Sequence, residues 1–304
     1  TYLNLLDLDE RLHIANKAID SRQTSFDMLT RRYQVGSGTN FEVVQAETLL
    51  TQAQALAVQL RQAQTAQSNL LTLLLGSAPT LTLSGRALKD NMLVSELKVG
   101  QPSDLLLNRP DIMAAEFKLK AANVSIGAAR AAFFPRITLN AAYGGISTEL
   151  NGLFSSSNRA WMFAPNISLP LFDGGRLSSN LDLTEARKNI AVANYEKTIQ
   201  VAFREVADNI SASQTLAEQV AIQQRGVIAQ AERARLARLR YDNGSSSFLE
   251  VLDAERDLLN VQQQLVQVRR ALLSTRANLF ATLGGGNKSA YQEDTSHPGD
   301  GASK

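Results

Sequence analysis

The chain has 304 residues, of which only 6% are aromatic, and its 31 lysines and arginines nearly balance 29 aspartates and glutamates. This composition favours extended helices over a compact core, and the balanced charge without a basic run argues against nucleic acid as a partner. The absence of cysteine excludes disulfides, thiolate catalysis and cysteine metal sites. His13 and His297 lie far apart without ligand-spaced neighbours, so we predict no metal or other cofactor.

Residues 1–76 are predicted to form a helical hairpin. The opening stretch "TYLNLLDLDERLHIANKAIDSRQ" has helical spacing but no cap at its start. We therefore expect the chain to begin inside a helix, with further sequence before it. A turn at Gly36 and a return helix over about 41–75 complete the hairpin.

The turn of this hairpin occurs twice. The phrase "RYQVGSGTNFEVVQAE" at residues 32–47 recurs as "RYDNGSSSFLEVLDAE" at residues 240–255. Aligned without a gap, residues 32–76 and 240–284 share 17 identities in 45 positions, where unrelated helical sequences would share roughly three or four. The chain is therefore an internal duplication with an offset of 208 residues.

Two short segments lie between the repeats. Residues 77–109 mix proline, glycine and polar residues and are predicted to form a linker beside the helices. Residues 110–132 begin with Pro110, which suits the first turn of a helix. A helix over these residues would be roughly 33 Å long.

Residues 174–284 are predicted to form the second hairpin, and residues 285–304 a disordered tail. From 176 to 240 there is no proline, and a single helix of this length would extend roughly 97 Å. The return helix, about 248–283, reaches only roughly 54 Å. The helix of residues 110–132, stacked end to end on the return helix, would make up most of the difference.

Residues 133–173 have a different pattern. Their apolar residues alternate with small or polar ones in "AFFPRITLNAAYGGIS" and "AWMFAPNISLPLF", which predicts two β-strands joined by a polar loop. The pattern fits strands of a water-filled transmembrane barrel with Trp161 and Tyr143 at the membrane interface. It equally fits a hairpin half-buried against a soluble core. No apolar run of 18 residues is present, so no membrane-spanning helix is predicted.

The stretches "LLLNRPDIMAAEFKLKAANVSIGAARAAFFPRITL" and "LPLFDGGRL", together with the two "RY..G" turns, closely resemble the outer membrane factor family. These are the TolC-like and OprM-like exit ducts of tripartite efflux pumps, here of the branch serving RND drug or metal exporters. The resemblance covers residues 1–284. It implies a mainly α fold with a small membrane β part, in which long antiparallel coiled-coil helices build a trimeric α-barrel.

The resemblance also implies a location and partners. The strands would contribute to a 12-stranded barrel in the outer membrane of a Gram-negative bacterium, continuous with a periplasmic helical tunnel. The partners would be two further copies of the chain, outer membrane lipid, a periplasmic adaptor protein and an inner membrane RND transporter. The offset places the partner hairpin of residues 134–172 before residue 1, so the chain is expected to carry two of four strands. A signal sequence and a lipid-bearing cysteine would also precede it.

The helix tips are where the family closes its tunnel, and the resemblance assigns residues there. Carboxylates six and nine residues after the tip glycine point into the lumen, which selects Glu250 and Asp253 in the second repeat and Glu42 with Gln45 in the first. Tyr241 would link to Glu42 of the neighbouring hairpin. Three copies of each carboxylate would raise carboxylate pKa values and attract cations. Alternatively, Glu250 and Asp253 are solvated charges after a turn, and Tyr241 is an ordinary packing residue.

The tip turns are also predicted to dock the adaptor, because small residues allow close approach of backbones; the proposed docking residues are Gly36, Ser37, Gly244 and Ser245. Polar turns of this kind are common in any protein. The chain departs from TolC at Ser246, where TolC has an arginine that completes its latch.

Two other classes of protein remain as alternatives. A periplasmic coiled-coil adaptor would account for the helices and the duplication but not for the strand alternation. An enzyme has almost no support, because no nucleophile and base pair, metal cluster or phosphate loop is present.

Overall fold

The computed structural model describes residues 1–77, 109–148, 150 and 153–285. The interior of the predicted linker 77–109 and nearly all of the predicted tail 285–304 lie outside the described residues. In the described parts, the elements are α1 (Tyr2–Gln34), α2 (Asn40–Leu75), α3 (Pro110–Ala131), β1 (Arg136–Gly145), a short 3-10 helix (Ser156–Asn158), β2 (Arg159–Ser168), α4 (Arg176–Asp242) and α5 (Phe248–Thr282). None of these helices is both long and apolar enough to cross a membrane.

The chain divides into two compact units. The described part of the first unit contains α1, α2, α5 and the portion of α4 from Arg204 onward. The second contains α3, the strands and the first part of α4. The predicted stacking of α3 on the return helix, and the placement of the strands opposite the tips, concern both units and stay predictions.

In the first unit, each repeat folds as an antiparallel helical hairpin. Leu8, Leu12 and Ile19 of α1 pack around Ala57 and Leu60 of α2. At the same positions of the second repeat, α4 packs on α5 through Leu216, Val220, Val227, Leu265 and Val268. The duplication therefore preserves packing as well as sequence.

The two hairpins meet through α1 and α5, and we call this contact the inner seam. Its apolar part contains Leu6, Val266 and Leu273, with Ile14 packed against them. Its polar part contains two long-range hydrogen bonds, from Arg11 Nε to Gln263 Oε1 at 2.7 Å and from Arg270 Nη1 to Asn4 Oδ1 at 2.9 Å. The order of these contacts along the chain shows that α1 and α5 are antiparallel.

In the second unit, the "RPDI" motif forms an ion pair at the start of α3. The buried Arg109 guanidinium donates two hydrogen bonds to the Asp111 carboxylate, at 3.0 and 2.6 Å. These bonds hold the pKa of Asp111 below its usual range. Pro110 occupies the first turn of the helix, where its missing N–H is tolerated.

The strands β1 and β2 pair antiparallel and form a two-stranded sheet. The register places the two apolar sets on one face, with the cross-strand pairs Ile137–Ile167, Leu139–Pro165, Ala141–Phe163 and Tyr143–Trp161. The large apolar side chains of this face are exposed. Within the described chain, the alternative of a hairpin half-buried on a soluble core is therefore wrong.

The second strand leads into α4 through a cap built on Asp173. Its carboxylate accepts hydrogen bonds from the backbone N–H groups of Gly175 at 3.0 Å and Leu177 at 2.8 Å. These bonds lower the pKa of Asp173. Gly174 and Gly175 have positive φ angles of 63° and 87°, a conformation that glycine adopts without steric cost.

Candidate functional site: the helix tips

The two tip turns have the same backbone conformation. Gly36 and Gly244 have φ angles of 74° and 72°, the left-handed region that ends a helix. In each turn the following serine hydroxyl donates back to the helix, from Ser37 to the Arg32 carbonyl at 3.1 Å and from Ser245 to the Arg240 carbonyl at 2.9 Å. The four predicted docking residues are exposed, and the backbone N–H of each donates a hydrogen bond within its own turn.

A single hydrophobic cluster joins the four helices behind these turns. Its centre is Phe248, which is fully buried at the start of α5. The Tyr241 ring packs edge-on against Phe248, with 4.8 Å between ring centroids. The remaining buried members are Leu29, Ala46, Leu49, Ala237, Val251, Leu252 and Ala254.

Tyr241 has a partner that sequence reasoning did not assign. Arg32 of the first hairpin donates a hydrogen bond to the Tyr241 hydroxyl, and its guanidinium lies 5.8 Å from the centroid of the tyrosine ring. The predicted link between Tyr241 and Glu42 is therefore not made within the chain. Within the chain, Tyr241 contacts the first hairpin through an arginine.

Glu42 is engaged in its own helix. It forms a capping box at the start of α2: its backbone N–H donates to the Thr39 hydroxyl at 3.3 Å, and its carboxylate accepts from the Thr39 N–H at 3.2 Å. This reciprocal cap explains why Glu42 does not reach Tyr241. Gln45, nine residues after Gly36, lies one turn further along α2 and is half-buried.

Glu250 and Asp253 lie on the same surface of the second hairpin. Both line an open groove of about 550 Å³ on the second hairpin. Each carboxylate has an arginine partner within the chain: Arg240 Nη1 lies 2.9 Å from Glu250 Oε2, and Arg256 Nη1 lies 3.0 Å from Asp253 Oδ1. Both carboxylates therefore have a cationic partner, which sequence counting from the tip glycine did not reveal.

A second polar group lies deeper in the first unit. Arg22 is buried and donates to the Leu49 carbonyl at 2.5 Å, and burial lowers its pKa. Glu255 of α5 accepts from the Ser21 hydroxyl at 3.4 Å, and burial raises its pKa. Both side chains line a groove of about 420 Å³ between α1, α4 and α5.

The structure brings the two predicted interface aromatics together. Tyr143 and Trp161 are directly opposite each other across the two strands, at the loop end of the hairpin, and both are largely exposed. Such cross-strand aromatic pairs stabilise an antiparallel ladder. Both residues belong to the second unit.

Sequence reasoning missed the arginines of the tips. Arg32 and Arg240 are identical at matched positions of the duplication, and this signal could have identified them. Arg256 has no such signal, because its counterpart is Thr48. Among the described residues, no group of three or more potential metal-ligating side chains is found.

The organisation of this site can be compared with known proteins. The family model for outer membrane efflux proteins matches residues 1–77 and 101–285, which include both hairpins and the strand pair. The chain belongs to the outer membrane efflux protein family. This result confirms the predicted family and the predicted outer membrane location, and the predicted mainly helical fold with a small β part agrees with it.

Curated relatives of the family are similar over most of this chain. The solvent efflux pump outer membrane protein SrpC of Pseudomonas putida is 42% identical over 275 residues, which are 90% of this chain and 58% of SrpC. Outer membrane protein OprJ of Pseudomonas aeruginosa is 41% identical over 287 residues, which are 94% of this chain and 60% of OprJ. The chain thus spans about three-fifths of these relatives' length.

Solved structures of the family share the fold. A membrane protein from Pseudomonas aeruginosa has a TM-score of 0.81 at 39% identity, covering 94% of this chain and 64% of its own. The open state of the MtrE outer membrane channel of Neisseria gonorrhoeae has a TM-score of 0.79 at 33% identity, covering 94% and 65%. The outer membrane efflux protein family consists of transport channels and is not an enzyme class, and the alternative of a periplasmic adaptor is not favoured.

Proposed function

We propose that this chain forms the outer membrane exit duct of a tripartite efflux system, as a homotrimer that opens and closes passively at its helix tips. The observation that carries the proposal is the hairpin of β1 and β2. Its apolar face is continuous across both strands and exposed, which suits contact with lipid. The family match over both helical hairpins supports the same function.

The transported compounds are small molecules selected elsewhere in the pump. The resemblance implies drugs or metal ions, and relatives named for solvent and toluene efflux support small organic compounds. The proposed partners are a periplasmic adaptor protein, docking at the turns of Gly36, Ser37, Gly244 and Ser245, and an inner membrane RND transporter. Outer membrane lipid would surround the strands, with Tyr143 and Trp161 at the interface.

The gate is proposed to consist of Glu250, Asp253 and Tyr241, with Glu42 holding the first tip in shape. Three copies of Glu250 and Asp253 around one axis would place six carboxylates at a narrow aperture. Low-dielectric walls focus the field of such charges on passing ions. Their arginine partners Arg240 and Arg256 are exposed, so salt screens these pairs.

The double amide variant Glu250→Gln with Asp253→Asn tests the gate. It keeps side-chain size while removing six negative charges per trimer. Arg240 loses its carboxylate partner, whereas Arg256 keeps Asp257. We therefore expect the aperture to lose its preference for cations and to shift towards anions. The measurement is reversal potential and single-channel conductance of the trimer in a planar bilayer across a salt gradient.

A matched control is Glu218→Gln with Asp208→Asn, which removes two exposed carboxylates of the same hairpin that do not line this groove. The control should leave the reversal potential nearly unchanged. If the gate variant also leaves it unchanged, Glu250 and Asp253 are ordinary surface charges. Failure of the full-length protein, including the sequence expected before residue 1, to conduct in any bilayer would contradict the duct itself.

A further inference from the structure

The tip turn of the second repeat contains an asparagine directly before its left-handed glycine. Asn243 and Gly244 occupy the positions of Val35 and Gly36 in the first repeat. The φ angles of the two glycines are nearly the same, 72° at Gly244 and 74° at Gly36. The turn does not require the asparagine, because the valine permits the same backbone conformation.

An asparagine followed by glycine is among the most reactive amides in proteins. The backbone nitrogen of the glycine attacks the side-chain carbonyl carbon of the asparagine, and ammonia leaves as the new C–N bond closes a succinimide ring. Water then opens the ring at either carbonyl, which gives aspartate or isoaspartate. Glycine favours the attack because it has no Cβ to hinder the approach. The net reaction consumes water, releases ammonia and needs no cofactor.

The surroundings of Gly244 leave room for this reaction. Apart from its chain neighbours, no heavy atom of the described residues lies within 4 Å of the position that a Cβ on Gly244 would take. The side chain of Asn243 is exposed. Water can therefore reach both reacting groups, and the ring can form without displacing another part of the described chain.

In the folded turn, both reacting groups are held in hydrogen bonds. The Gly244 N–H, whose nitrogen is the nucleophile, donates to the Tyr241 carbonyl at 2.8 Å. The side-chain nitrogen of Asn243, which is the leaving group, donates to the Leu239 carbonyl at 2.7 Å. The nitrogen of Gly244 can attack only after these two bonds have opened.

We propose that Asn243 is a spontaneous modification site, at which the backbone nitrogen of Gly244 converts the side-chain amide to a carboxylate when the tip turn opens. The closed turn protects the amide, so the extent of conversion reports how much of the time this turn is open. The first repeat has no equivalent site, because Val35 carries no amide. The reaction requires only the turn and water, and it is independent of transport.

The product cannot restore the original turn. An ionised carboxylate donates no hydrogen bond, so residue 243 loses its bond to the Leu239 carbonyl. The new negative charge follows Asp242, the last residue of α4, and the helix dipole disfavours an anion at this end of a helix. In isoaspartate, an extra carbon also enters the backbone and moves the Gly244 N–H away from Tyr241. Conversion should therefore loosen the tip irreversibly.

Peptide mass spectrometry measures the conversion. The full-length protein is incubated at mildly alkaline pH, once folded in detergent solution and once unfolded in urea, and is then digested with trypsin. Cleavage after Arg240 and Arg256 releases residues 241–256, which include Asn243. The other Asn–Gly pair of the sequence, Asn151–Gly152, lies outside the described residues and is recovered in a separate peptide, residues 137–159. The two sites are therefore measured independently.

We expect conversion of Asn243 in both samples, with a rate at least roughly fivefold lower in the folded protein, the factor that two hydrogen bonds of ordinary strength would give. Isoaspartate should accompany aspartate, because both arise from the succinimide. Equal rates in the folded and the unfolded protein would show that the turn gives no protection. Conversion in urea alone would show that the turn does not open in the folded protein. Either result overturns the proposal.

A serine substitution tests whether the turn controls the rate. The Ser245 hydroxyl donates to the Arg240 carbonyl at 2.9 Å, and Ser245→Ala removes this bond without changing the reacting pair. Conversion of Asn243 should become about two- to tenfold faster in the folded protein and stay unchanged in urea. The matched control Ser37→Ala removes the equivalent bond of the first turn and should leave this rate as it is. An unchanged rate in Ser245→Ala would contradict control by the turn.

The effect of the modification is tested with Asn243→Asp, which carries the charge of the aspartate product in every chain. Hydrogen exchange in peptides that cover the turn should be faster than in the parent protein, because the N–H groups of Gly244 and Ser245 are less protected. The control Asn243→Val copies the residue of the first repeat and adds no charge, so its increase should be smaller. Equal exchange in all three proteins would contradict the predicted loosening of the tip.

Discussion

The two helical hairpins have the same backbone conformation at their tips, but the equivalent glutamates make different contacts. Glu42 caps α2 together with Thr39, whereas its counterpart Glu250 pairs with Arg240 across its own turn. In the second repeat the cap position is Ser247, whose side chain makes no capping bond. Duplication therefore conserved the turn, while its carboxylate caps a helix in one copy and pairs with an arginine in the other.

The difference extends to the residue that begins each return helix. Phe248 fills the centre of the tip cluster, whereas its counterpart Asn40 is exposed. Both hairpins contribute buried residues to the tip cluster, but only the second contributes a buried aromatic ring at this position. Substitutions at matched positions of the two repeats test this difference.

The largest effect is expected from Phe248→Ala. Removal of a fully buried ring leaves a cavity among four helices, and we expect the free energy of unfolding to fall by about 3–5 kcal/mol. The counterpart Asn40→Ala should change it by no more than about 0.5 kcal/mol, because the side chain is exposed. Equilibrium chemical denaturation compares the two; equal losses would show that the tip core is shared.

A smaller effect is expected at the helix caps. Thr39→Ala removes one half of the capping box and should reduce the free energy of unfolding by about 1 kcal/mol. Ser247→Ala removes no capping bond and should leave stability nearly unchanged. Denaturant midpoints of both variants measure the difference, and a larger loss for Ser247→Ala would reverse the assignment of roles.

The hydrogen bond between Tyr241 and Arg32 is expected to contribute about as much as the cap. Tyr241→Phe removes the hydroxyl that accepts from Arg32 and should lower the free energy of unfolding of the chain by about 0.5–1.5 kcal/mol. In a bilayer it should raise conductance with little change in ion selectivity, since no charge is removed. Tyr33→Phe should leave the stability of the single chain unchanged, and a comparable loss there would indicate an intramolecular partner for Tyr33.

The smallest effect concerns the pH dependence of one buried carboxyl. Burial raises the pKa of Glu255 above its ordinary value of 4.5, although Arg22, Arg238 and Ser21 act in the opposite direction. The folded chain therefore binds the proton of Glu255 more tightly than the unfolded chain does. The stability that this gives is present below about pH 4.5 and is lost as the pH rises through the raised pKa.

The variant Glu255→Gln should remove this part of the pH dependence and increase the free energy of unfolding at pH 7. Its counterpart Glu47→Gln, on an exposed side of α2, should leave the pH profile as it is. Urea denaturation between pH 4 and pH 8 would test both. A profile that Glu255→Gln does not alter would mean that the carboxyl is solvated.

The sequence predicted the backbone better than the contacts of its side chains. The glycine turns followed from local conformational preference, and the apolar face of each strand followed from alternation, because successive side chains of a strand point to opposite faces. The partners of Glu42 and Glu250 could not be predicted in this way. Both repeats have a glutamate six residues after the tip glycine. Whether it caps its helix or forms an ion pair depends on the positions of Thr39 and Arg240, which are set by the folded turn.

The duplicated glycine stops define a fixed length. Gly36 and Gly76 are 40 residues apart, as are Gly244 and Gly284, and all four have positive φ angles. A single inserted residue would turn the rest of the helix by about 100° and move it by about 1.5 Å. Its buried stripe would then face solvent. Relatives of this chain should therefore tolerate many substitutions between these glycines while rejecting insertions and deletions, unless both helices of a hairpin change length together.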